Sequence, residues 1–246
     1  MTTLAEICLQ TARMLGEVMD GVATGGSSSG LIDTVNLTQS SGFWDGGVLW
    51  ILSGTHAGKM VSVLSFSGNK LTIDDLGSSV SGATYAVSRG QYPLRILKMG
   101  INSALGETRR VDLDISLSVS DEDQVSLPAS IGEVVGLEID EDGEISINTH
   151  YEVKDGVLYL GSDQSGTLRI QHLTSHSALS TDSAEVPVEI NLEWLRWAAL
   201  VHILRWGMRN LQNDPVYDVG EFLNEAYKRV ERLKPTRQVI LRLRTA

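Results

Sequence analysis

The strongest constraint on this chain is that its apolar periodicity switches from helix to strand and back twice within 246 residues. Thr3 to Met19 places Leu4, Ile7, Cys8, Ala12, Leu15 and Met19 at helical spacing, with Thr2 or Thr3 and Glu6 set for a capping box. The pattern breaks at Gly21. Val22 to Gly30 carries no charge, and short alternating runs follow, at Gly30 to Asp33, Gly47 to Leu52, Lys59 to Phe66, Lys70 to Ile73 and Thr84 to Ser88. Gly, Ser, Asn and Asp punctuate them, so they predict a small antiparallel β module.

The helical period returns at Tyr92, where Pro93 suits a first turn and Leu94, Leu97, Ile101, Ala104 and Leu105 share a face. A second set of alternating runs covers Asp112 to Val119, Gln124 to Leu127, Val134 to Ile139, Glu144 to Tyr151, Val157 to Leu160 and Thr167 to His172. Turns are expected at Asp142-Gly143, Asp155-Gly156 and Ser165-Gly166. From Val188 a helix is apolar on most of its circumference, and after Asn213-Asp214-Pro215 a last amphipathic helix runs from about Val216 to Leu233. The expected fold class is therefore α+β: a four-segment helical bundle (1–21, 91–110 and 188–234) with two inserted antiparallel β modules (22–90 and 111–180) and an extended C-terminal arm (235–246).

Charge narrows the function. The net charge of −11 argues against general affinity for nucleic acid, which needs clustered Lys and Arg. It is unevenly spread: residues 191–246 carry 10 Lys+Arg against 6 Asp+Glu, and residues 1–190 carry 10 against 25. The longest apolar runs, such as Trp197 to Val201, fall far short of the roughly 20 residues of a bilayer span, and no charged-then-apolar leader opens the chain. The expectation is a soluble chain without its own export signal. Cys8 is the single cysteine, which excludes an internal disulfide and a CxxC metal site.

No motif carries chemistry through closer reading. His172 and His176 have i, i+4 spacing but follow a strand pattern, so an exposed loop is expected there and no zinc site. Ser53 to Lys59 approaches a phosphate-binding loop with one spacer too few and Met60 where Ser or Thr is needed, so it predicts a hairpin turn. Asp121-Glu122-Asp123 and Asp140 to Glu144 lack the ligand spacing of a calcium loop and read as solvated hairpin tips. Neither a catalytic residue, a metal nor a cofactor is expected.

Two features remain. Trp194, Trp197 and Trp206 crowd one helix, as core residues or as a surface covered by a neighbouring subunit. The tail begins with Arg237, alternates Val239, Leu241 and Leu243 with Gln238, Arg242 and Arg244, and holds no acidic residue, a pattern open to strand addition on a partner or to plain disorder.

The stretch Ala23 to Thr34, with Trp44 to Ile51 and Gly54 to Lys59, resembles a β module of phage virion proteins. Ile101 to Leu105, then Val186-Pro187-Val188-Glu189 before the Trp-rich helix, then Asp214-Pro215 and the final helix, resemble head-to-tail connector adaptors of tailed bacteriophages. The resemblance implies a non-enzymatic virion protein at the head-tail interface, assembled in the host cytoplasm. It implies a ring, commonly a dodecamer, whose arm from Lys234 to Ala246 docks on the portal protein. Below the ring would lie a tail, nozzle or stopper protein, and genomic DNA would pass through the channel without specific binding. No membrane partner is implied. The two β insertions leave adaptor, stopper or other tail component open, as well as a baseplate or fibre-attachment subunit whose β modules bind a receptor.

Overall fold

The computed structural model describes residues 1–16, 18–211 and 219–233, in two compact units. The first comprises residues 1–105 and 178–246, the second residues 106–177.

In the first unit, α1 (Leu4–Leu15) begins where the sequence places it: Thr3 accepts from the Glu6 N–H at 3.3 Å, and Glu6 reaches back to the Thr3 N–H at 2.9 Å. The helix ends at Gly16 (φ 85°), not at Met19. β1 (Val18–Val22) starts at once and is followed by β2 (Gly25–Ser27), β3 (Gly30–Ile32), β4 (Val48–Ile51), β5 (Met60–Ser67), β6 (Lys70–Ile73) and β7 (Thr84–Ser88). These seven strands form one antiparallel sheet in the order β1-β7-β4-β5-β6-β3-β2. Its two end strands are consecutive in the chain, so the sheet is curled. Leu31, Leu49, Ile51, Phe66, Leu71, Tyr85 and Val87 fill the inside of the curl.

β4 explains how this sheet joins the helices. Val48, Leu49, Trp50 and Ile51 are all buried, which requires cover on both faces. Leu49 and Ile51 point into the curl, whereas Val48 and Trp50, with Met60 and Ala86, belong to the core made by α1, α2 (Leu94–Gly106), α3 (Leu192–Asn210) and α4 (Val219–Leu233). α3 is capped by Asn191, which accepts from the Glu193 and Trp194 N–H groups. It approaches α2 so closely that a Cβ on Gly100 would stand 2.5 Å from Ile203.

Residues 178–187 stitch these parts together. Asp182 accepts from Lys98 Nζ at 2.8 Å and from the Met60 N–H at 2.9 Å, and its carbonyl accepts from the Ala5 N–H at 3.0 Å. Asn102 pairs with the backbone of Leu179 in both directions.

The second unit is all strand: β8 (Arg109–Ser126), β9 (Glu133–Glu141), β10 (Glu144–Ile147), β11 (Glu152–Lys154) and β12 (Val157–Ser175). Asp142-Gly143 and Asp155-Gly156 form two-residue hairpin turns with positive φ at both positions. Ser165-Gly166, expected as a turn, is an irregularity inside β12 instead, with Gly166 at φ 130° and a register shift at Gln164. The runs expected as separate strands are thus two long strands of 18 and 19 residues.

The helical-bundle fold class is therefore corrected. Strand occupies 39% of the chain and helix 26%, so the fold is mostly β. The physical reason is burial: the helices supply one side of a core whose other side is the curled sheet, and they do not enclose a core by themselves. Among the described residues no helix is long and apolar enough to cross a membrane.

Asp182→Ala is expected to destabilise the first unit by about 2 kcal/mol, because it leaves the Met60 N–H and Lys98 without their acceptor. The midpoint of urea unfolding measures the loss.

Candidate assembly interface

The second unit concentrates two properties expected of an interaction surface. The first is charge. Of the chain's 31 acidic and 20 basic residues, 15 and 4 fall in residues 106–177, which leaves 16 and 16 elsewhere. The whole net charge resides here. Three of the four cations already face carboxylates: Arg109 with Glu133 at 2.8 Å, Arg110 with Asp112 at 3.0 Å and Arg169 with Glu138 at 3.2 Å.

The second property is apolar surface on a free sheet edge. β8 pairs with β12, β12 with β9 and β9 with β10, all antiparallel. Among the described residues no strand pairs with the outer edge of the N-terminal half of β8 or with that of β10. Val111, Leu113 and Ile115 are 47, 49 and 58% exposed, and Ile145 and Ile147 on the opposite edge are 54 and 61% exposed. Directly opposed residues share a face. Leu113 faces Gln171 and Val111 faces Leu173, while Ile147 faces Glu138, whose other neighbour is Arg169. Both edge stripes therefore lie on one face, with the Arg169–Glu138 pair between them.

A local interaction puts the β8 stripe there. Leu117 lies opposite Leu168 and Asp114 opposite Ile170, so Ile115 and Ser116 together oppose Arg169. This bulge reverses the alternation. Leu117 and Val119 turn toward the core of Leu137, Ile139, Leu158, Leu160, Leu168 and Ile170, while Val111, Leu113 and Ile115 turn out. Asp114 Oδ1 accepts from the Ser116 N–H at 2.8 Å and from its hydroxyl at 2.6 Å. Those two bonds hold the Asp114 carboxyl below its ordinary range.

Beside β10 an open pocket of about 350 Å³ is lined by Ile147, Asn148, His150, Leu160, Ser162 and Gln164, among others.

The residues singled out from sequence are placed as follows. Trp194 is buried in the core of the first unit. Trp197 and Trp206 are half-buried, Trp197 edge-on to Phe222 under the Arg229 guanidinium and Trp206 beside Tyr92. All three pack with the core of the first unit. Arg237, Val239, Leu241, Arg242, Leu243 and Arg244 lie outside the described residues. His172 and His176 are each 7% exposed, which corrects the exposed loop. His172 Nδ1 accepts from the Gly132 N–H at 3.1 Å, so the ring proton sits on Nε2. Ser53 to Lys59 is the β4–β5 hairpin connection, as expected. Asp121 to Asp123 lie within β8, not at a hairpin tip.

Candidate acid–base chemistry reduces to structural bonds. His56 Nε2 lies 2.7 Å from Ser78 Oγ and 3.2 Å from the Ser78 carbonyl. The ring nitrogen donates to the carbonyl or accepts from the hydroxyl according to its tautomer, and either bond ties the β4–β5 connection to the loop at Ser78. Burial pushes the Cys8 thiol up to about 12, with Lys98 opposing, so it is not a thiolate nucleophile. Among the described residues no three His, Cys, Asp or Glu side chains converge as a metal site.

Asp33, missed in the sequence, is fully buried. It accepts from Tyr85 Oη at 2.8 Å, Asn36 Nδ2 at 2.7 Å and the Val35 and Asn36 N–H groups at 2.9 and 3.1 Å. Burial raises its carboxyl, but the bonds from Asn36, Val35 and Tyr85 outweigh that and hold it below the usual range. A Cβ on Gly21 would collide with both Tyr85 and Asp33. Asp33 therefore pins the loop after β3 to β7.

No protein-family model matches the sequence, and no curated protein is similar to it.

Tyr85→Phe removes one donor from a buried carboxylate and is expected to cost about 1 kcal/mol at neutral pH. A carboxyl depressed in the folded state stabilises above its unfolded value, near pH 4, and that contribution is lost as pH falls through the folded value. The difference between Tyr85→Phe and the unmodified chain should accordingly shrink below about pH 4, measured by urea unfolding across pH.

Proposed function

We propose that this chain is a structural assembly subunit of a tailed-phage virion, a ring-forming adaptor at the head-to-tail junction. The observation that carries the reading is the confinement of the whole net charge to one all-β unit. A ring of such units presents an acidic surface beside the genome's path, and like charge lets a duplex pass without adhering. The first unit, with its shared helix and sheet core, carries no net charge. The basic segment from Lys234 to Ala246 is the arm by which the subunit docks on the portal, with Arg237, Arg242 and Arg244 available for carboxylates. A tail, nozzle or stopper protein would continue the channel below.

The open pocket beside β10 favours a second reading. Its asparagine, histidine, serine and glutamine lining suits a polar ligand, as in a fibre-attachment or baseplate subunit that binds a receptor or a neighbouring tail protein.

Electron microscopy of the chain mixed with its cognate portal protein, full length and truncated after Leu233, separates the two. The adaptor reading expects an added ring with the full-length chain and none with the truncated one. If the full-length chain leaves the portal bare, the adaptor reading fails.

A further inference from the structure

We infer that copies of this chain join head to tail through their acidic units, the β8 edge of one adding as a strand to the β10 edge of the next. Strand direction permits it. Across the sheet β8, β12, β9 and β10 alternate, so β8 and β10 run in opposite directions. A second copy placed beyond β10 presents its β8 antiparallel to it, and the alternation continues without a break. The occupant of each edge is the other edge of a second copy.

The side chains agree. On the common face, Val111, Leu113 and Ile115 meet Ile145 and Ile147, all of them more than two-fifths exposed in the single chain. Setting Ile145 opposite Ile115 places Ile147 opposite Leu113 and, on the other face, Ser146 opposite Asp114 and Asn148 opposite Asp112. A hydroxyl and an amide then face the two carboxylates, and Glu144 meets Ser116. Moving the register by two residues, with Ile145 opposite Leu113, would set Glu144 against Asp114, a like-charge contact that disfavours it. A symmetric β8–β8 contact centred on Leu113 would set Asp112 against Asp114 twice and leave the β10 stripe uncovered.

The two edges are different surfaces, so the contact is heterologous and propagates into a closed ring or an open array. Closure into a ring rests on the function proposed above; the pairing itself belongs to this chain alone.

The like charge of the acidic units opposes approach, which fixes the sign of the salt effect. Screening shortens from about 10 Å at 0.1 M to about 3 Å at 1 M salt, so association should strengthen as salt rises. A contact in which the basic tail of the chain grips the acidic unit would weaken instead.

The test is sedimentation of the full chain over concentration and salt, without any portal, with Leu113→Lys and Ile147→Lys as variants at exposed positions whose folding is checked by circular dichroism. The unmodified chain should associate, more strongly at high salt. Each variant alone should remain monomeric, and an equimolar mixture should form a heterodimer and nothing larger, because one intact β10 edge and one intact β8 edge remain. A parallel mixture of Leu113→Cys and Ile147→Cys under a mild oxidant should give the mixed disulfide in preference to either homodimer, with Cys8 buried and silent. The proposal is overturned if the unmodified chain is monomeric throughout, if Ile147→Lys still associates, if the mixture of Lys variants forms no dimer, or if salt or truncation after Leu233 abolishes association. The last two would identify the basic tail as the occupant. None of these outcomes involves the portal, so they leave the adaptor reading to its own experiment.

Discussion

The second unit depends on two hydrogen bonds inside one strand. Asp114 accepts from the Ser116 N–H and hydroxyl at the point where β8 shifts register against β12. Ile115 and Ser116 then share Arg169 as their partner, and the strand changes phase. C-terminal to that point β8 contributes Leu117 and Val119 to the core. N-terminal to it, the residues with the same spacing face outward. One short acidic side chain thus divides a continuous period-2 pattern into a core segment and an exposed apolar edge.

The first unit depends on cover from two sides. Four consecutive buried residues in β4 are stable only if both faces of the sheet are packed, and the curl covers one face while the helices cover the other. Asp182 ties the returning chain to α1, α2 and β5 at the seam. Sheet and helices therefore share one core, and neither would be well packed without the other.

This arrangement explains what could be read from the sequence. Features decided within a few residues were legible: the Thr3 and Glu6 box, the two Asp-Gly turns, β6 and β7 to the residue, and the body of α3. Features decided by distant partners were not. Met19 fits a helical face as well as β1, and only pairing with Val87 settles it. Ser165-Gly166 has turn chemistry, but Val119 and Ser120 lie across from it and keep the strand going. The burial of His172 and the pinning of Asp33 by Tyr85 rest on contacts 40 and 52 residues away in the chain. Of the candidate site, the acidic excess was visible, but not its confinement to one unit. The apolar edge was hidden, because alternation alone puts Val111 through Val119 on one face and the register shift does not show in composition.

The chain combines a near-neutral body with an acidic β unit in which, among the described residues, the edges at the N-terminal half of β8 and at β10 have no paired strand and carry apolar stripes. The proposed contact rests above all on the N-terminal half of β8 being an open edge in the single chain. Hydrogen exchange of the dilute, monomeric protein addresses it directly. The account predicts that amides of β12, paired on both sides over residues 167–173, exchange slowly, while a fraction of those in residues 109–116 exchange at once. Uniform slow exchange along residues 109–116 in the monomer would contradict it, because the edge would then already be covered by the chain itself.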